Sequence, residues 1–126
     1  MRSDAYGLTV TTESPDALAA YDGAVKALLS WEADALSRFR VAAERDPGLA
    51  LAHVGAAVCL FLEERFAETA TAVTAARAAA TAASARERSH VEALGLWLAG
   101  RLPEAEAAMR AHLASWPRDM MVAQRL

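Results

Sequence analysis

Residues 100–117 read GRLPEAEAAMRAHLASWP. Gly100 suits the left-handed stop of a helix, and Pro103 suits a first helical turn, where its missing N–H leaves no bond unmade. Ala105, Met109 and His112 then recur at helical spacing until Trp116-Pro117 ends the run. The pattern has two upstream counterparts. Ala35, Thr69 and Ala105 align, as do Phe39, Val73 and Met109, and Ala42, Ala76 and His112, at separations of 34 and 36 residues. In each helix the small residue lets a neighbouring backbone approach, and the larger one fills the space beside it.

Boundary signals supply the rest of the layout. Ser14-Pro15-Asp16 opens a first helix ending near Leu29, and Ser30-Trp31-Glu32 turns the chain into a second that Asp46-Pro47-Gly48 stops. A third helix spans Leu49 to Leu62, and a fourth, Ala-rich helix runs from Phe66 to Ala83. Ser84-Ala85-Arg86-Glu87 has the form of a capping box, opening a fifth helix that reaches Ala99. Asp119 reads as the cap of a seventh helix. Short turns make neighbouring helices antiparallel. The expected organisation is an N-terminal arm (1–13), helical repeats at 14–47, 48–83 and 84–118, and the start of a seventh helix at 119–126. The fold class is therefore all-α: an α-solenoid of about three helical hairpins in a right-handed stack.

Composition agrees. Ala supplies 33 of the 126 residues, with no Ile, so a β-rich fold is excluded and the helices must approach closely. Net charge is -3, with no concentration of Arg that would track phosphates, so no nucleic acid is expected as partner. The longest uncharged run, Pro47 to Leu62, is shorter than the roughly 20 residues of a membrane span, so no membrane association is expected. One cysteine and the absence of an apolar leader point to a cytoplasmic location. Arg in place of Lys, with no Asn, fits a GC-rich bacterial genome.

Helix–turn–helix units with a period near 34 residues are the mark of the tetratricopeptide repeat. The chain further resembles the N-terminal part of the tetratricopeptide repeat protein 38 family. The resemblance rests on Gly7-Leu8, Tyr21-Asp22, Asp46-Pro47, Arg86-Glu87-Arg88-Ser89-His90-Val91, Gly100 with Pro103 and Ala105, and Pro117-Arg118-Asp119. It implies a non-catalytic scaffold for protein–protein interaction, without catalytic residues or cofactor, whose partner is another protein or peptide. Two other readings stand beside it: a helical protein that binds a small apolar ligand, and the N-terminal fragment of a larger protein with its activity elsewhere.

Candidate binding residues follow from the concave side that first helices would line: Tyr21, Lys26, His53, Glu92 and Trp97. Arg86, Glu87, Arg88, His90 and Glu92 form the one dense polar cluster, read as a cap with solvated ion pairs ahead of an anion site at a helix N-terminus. The apolar Met120, Met121, Val122 and Leu126 mark a segment for self-association as a homo-oligomer, or for docking on the remainder of a longer protein. No metal set is expected: His53 and Cys59, six residues apart, lie about 240 degrees apart around one helix. His90 and His112 read as packing or surface residues, Glu63, Glu64 and Glu68 as solvent-facing, and the three tryptophans as wedges at unit boundaries.

Overall fold

The computed structural model describes residues 1–126. Seven helices follow a short ribbon: α1 (Pro15–Leu29), α2 (Ala35–Arg45), α3 (Ala50–Leu62), α4 (Phe66–Ala80), α5 (Ala85–Leu98), α6 (Leu102–Ser115) and α7 (Met120–Arg125). None is long and apolar enough to cross a membrane. The helix starts follow their local chemistry. Ser14 Oγ accepts from Ala17 N at 3.0 Å with Pro15 beside it, and Ser84 and Glu87 form the reciprocal capping box.

The helix ends share one device. Trp31 N–H donates to Leu28 O and Glu32 N–H to Ala27 O; the same pair of bonds recurs at Glu64 and Arg65, and at Gly100 and Arg101. The pivot residue has φ of 58° at Trp31, 60° at Glu64 and 77° at Gly100, the left-handed conformation this cap requires. α4 stops at Ala80 rather than Ala83, because Ala82 and Ala83 bond back only three residues while the chain turns toward the extended Ser84. Trp31 is no wedge: it is 69% exposed at its turn, whereas Trp97 and Trp116 are half-buried.

Consecutive helices pack as α1 on α2, α3 on α4 and α5 on α6, and α3 also meets α1, α2 and α5. α3 is the centre of the core, buried throughout except at His53, Phe61 and Leu62. Its Gly55 is the point of closest approach to α2, since a Cβ there would stand 2.3 Å from the Phe39 ring. Phe39 is fully buried and meets the edge of Tyr21 at 6.1 Å. A small residue on one helix thus makes room for the aromatic of the other, which is why Ala-rich helices still form a continuous core.

The arm and α7 close this core. β1 (Arg2–Ser3) and β2 (Thr9–Val10) pair antiparallel, and Asp4 Oδ1 accepts from Tyr6 N and Leu8 N to hold the turn between them. α7 packs against α1, α5 and α6. Met121 and Val122 are buried within their own chain, and Gln124 donates to Leu29 O at 3.3 Å. This corrects the expectation of an apolar segment free for self-association: only Met120 and Leu126 remain exposed, because the rest of the stripe seals α1. It also closes the side where Tyr21 was expected to face a groove. Tyr21 is 3% exposed, with its hydroxyl directed at Met121 Sδ, 3.8 Å away.

Candidate functional site

Two features stand out, one sealed and one open. The sealed one is a polar centre where α5, α6, the turn before α7 and the arm meet. Arg86 and His90 lie one turn apart on α5, His112 lies in the last turn of α6, and Asp119 immediately precedes α7. One oxygen, Asp119 Oδ2, accepts from Arg86 Nη1 at 2.9 Å and faces His90 Nδ1 and His112 Nε2, each at 2.8 Å. Ser89 Oγ lies 2.7 Å from His112 Nδ1, and Arg86 Nη2 donates to Thr9 O at 2.8 Å. Beside them Glu87 Oε1 accepts from Ser84 Oγ, Thr11 N and Thr11 Oγ1, stitching the arm to α5.

All five ionisable side chains of this centre are buried. Burial pushes the Asp119 carboxyl up, yet the charge of His90, the hydrogen bonds from His112 and His90, and the Arg86 guanidinium outweigh it and hold the group far below the usual carboxylate range. Burial likewise pushes the Tyr21 phenol up, and Asp119 adds to that. Three buried atoms here have no hydrogen-bond partner: Arg86 Nε, Glu87 Oε2 and His90 Nε2.

The sequence reading is corrected at several positions. Arg86, Glu87 and His90 are not solvated pairs around a cap, since they face inward under the arm. Asp119 does not cap α7 with its side chain, because that carboxylate turns back to the histidines. Donor atoms of His90, His112 and Asp119 also lie within 4.8 Å of one another, a convergence that the sequence reading did not include. The signal was present at His112, a large polar side chain in a register where the other helices carry Ala, which needs both room and a partner.

The remaining expected contacts are scattered. Lys26, Arg88 and Glu92 are exposed, and the Arg88 guanidinium folds back to donate to Ala83 O. Trp97 stacks edge-on against Phe61 at 4.9 Å, and the Arg125 guanidinium lies between Trp31 and Trp97, 5.6 and 5.7 Å from their centres. Glu63, Glu64 and Glu68 face solvent as expected, with Arg65 bridging Glu63 and Glu68. Cys59 is buried and far from a nucleophile's setting, since burial pushes its thiol up to about 12. Native protein is therefore expected to react with a thiol-titrating disulfide at neutral pH roughly a thousandfold more slowly than a free cysteine, and at the ordinary rate once unfolded in urea. Equal rates in both states would contradict this burial.

The open feature is a groove of about 590 Å³ between α2, α3 and α4. Ala43, Ala56, Leu60, Ala72 and Ala75 form its apolar lining, and Arg40, Glu44, His53 and Glu68 supply its polar groups. His53 Nε2 is 2.8 Å from Pro47 O, and Arg40 reaches across from α2 to Glu68 on α4 at 3.2 Å. Among the expected contacts, only His53 lies here. Comparisons of the chain with protein-family models, curated proteins and solved structures found no match.

Proposed function

We propose that the chain is a protein-interaction module of the tetratricopeptide type, three helical hairpins in a solenoid, which binds a peptide segment in the groove between α2, α3 and α4. The observation that carries this reading is the groove itself. It is floored by small side chains and open to solvent, an apolar surface of the kind that the apolar face of an amphipathic segment covers. Its one crossing ion pair, Arg40–Glu68, is half-exposed on both sides and worth little, so a partner displaces it at small cost. The repeating register of 34 and 36 residues supports the hairpin reading, as do the three like-built helix ends. On this reading the resemblance to the tetratricopeptide repeat protein 38 family concerns architecture and surface.

The expected binding face is thereby moved from the first helices to the groove over α3, because α7 and the arm cover the other side. The sealed polar centre supports the same assignment: the cleft reaching Asp119 measures about 10 Å³, room for a single water rather than an organic substrate. Selection from a displayed peptide library on the full chain tests the proposal. Peptides with small apolar residues at i, i+3 and i+4 are expected, with binding lost in Ala72→Trp, which fills the groove from a half-buried position. Peptides that bind wild type and Ala72→Trp equally well would place recognition elsewhere. A small molecule retained on the native protein and absent from Ala72→Trp would move the assignment to an apolar-ligand carrier, for which the groove volume also suffices.

A further inference from the structure

We infer that His90, His112 and Asp119 form a binding site for one divalent transition-metal ion of the zinc class, which ties α5, α6 and the turn before α7 together. Three side chains from separate elements bring Nδ1, Nε2 and Oδ2 within 4.8 Å of one another, and each is more than nine-tenths buried. Two imidazoles and a carboxylate are the donor set of a borderline ion; a hard cation such as Mg²⁺ or Ca²⁺ takes oxygen instead.

The surroundings are those of a ligand shell. Arg86 anchors the Asp119 carboxylate and Ser89 anchors the far nitrogen of His112, the outer contacts that fix ligand orientation at metal centres. Ser89 serves either tautomer. Its hydroxyl donates to Nδ1 while Nε2–H faces Asp119, and accepts from Nδ1–H once Nε2 turns its lone pair to the ion. His90 makes the same exchange between its nitrogens, with Nε2 buried and unpartnered. With bonds near 2.0–2.1 Å, a tetrahedral ion needs ligand atoms about 3.4 Å apart, so the carboxylate has to retreat by about half an ångström from its present 2.8 Å contacts and the two imidazole nitrogens, within 4.8 Å of each other, have to close by up to about 1.4 Å.

Charge points the same way. Asp4, Asp22 and Asp119 line the narrow cleft between the arm and α7, and Glu87 is buried beside Arg86. With both histidines in the neutral form that ligates an ion, only the guanidiniums of Arg86 and Arg118 stand against these four carboxylates, which leaves the region short of two positive charges. A divalent cation supplies them.

Co²⁺ is the probe that tests this on the chelator-treated full chain. The expected result is one equivalent bound with the visible absorption of four-coordinate cobalt, displaced by Zn²⁺, and a melting temperature raised by either ion. The chain has three histidines and one cysteine. The band should therefore survive His53→Gln and disappear in His112→Gln. Ser89→Ala should keep the fold by circular dichroism and bind roughly 10- to 100-fold more weakly. Wild-type protein that shows neither absorption nor a melting shift in excess Zn²⁺ or Co²⁺ would overturn the site. So would a band that persists in folded His112→Gln or is lost in His53→Gln. Should His112→Gln fail to fold, an unchanged affinity in Ser89→Ala refutes the assignment by itself.

Discussion

Phe39→Ala is expected to lower the unfolding free energy by about 3–5 kcal/mol, read as a fall in the urea midpoint with little change in slope. The ring is fully buried, seated over Gly55 and against Tyr21, and its removal leaves a cavity that α3 cannot collapse into without losing its contacts with α1, α4 and α5. The reciprocal change tests the same contact from the other side. Gly55→Ala adds a methyl 2.3 Å from a ring carbon, and overpacking of this kind costs roughly 1–3 kcal/mol or more. Because Phe39→Ala vacates the space that Gly55→Ala needs, the double variant should be more stable than the sum of the two effects predicts. Strict additivity would show that the two residues do not share one gap.

Asp119→Ala should cost about 3–5 kcal/mol at neutral pH, since it leaves the Arg86 guanidinium buried without its counter-ion and two imidazoles without their acceptor. The sign of the pH dependence follows from the direction of the Asp119 shift. Its folded value lies far below the unfolded one, so its contribution is fully present above about pH 4 and declines as pH falls further. The gap in urea midpoint between wild type and Asp119→Ala is therefore expected to narrow as pH falls below about 4. A gap that instead widens below about pH 4 would mean that the carboxylate is not held by these donors. Amide exchange offers a local readout, because Arg86 and Glu87 also hold the arm at Thr9 and Thr11. Protection there should fall more than at the centre of α3.

Much of the helix layout was legible in local chemistry. Ser14-Pro15, the Ser84–Glu87 box, Asp46-Pro47 and Gly100 with Pro103 each act within a few residues through a cap or a fixed φ, so they hold whatever the rest of the chain does. The Ala end of α4 was misplaced for the same reason. Nothing in Ala78 to Ala83 breaks a helix, and the stop comes from the demand of the following turn. The two non-glycine pivots, Trp31 and Glu64, were not legible either, since their left-handed conformation is imposed by the closure of α1 on α2 and of α3 on α4.

The candidate sites divide along the same line. The capping box was visible because its partners are three residues apart, and the polar type of His90, His112 and Asp119 was visible residue by residue. Their meeting was not, for Asp119 beside the start of a helix has an equally good local use as a cap, and only the packing of α6 on α5 turns it toward the histidines. Likewise the apolar stripe of α7 announced that it needed a partner, and the tertiary structure named α1 of the same chain. The sequence by itself determined which segments are helical and which residues seek burial, because caps, periodicity and side-chain size act over a single turn. Which faces close, which groove stays open and which polar groups converge was decided by the tertiary structure, since those outcomes depend on distances between residues far apart in the chain.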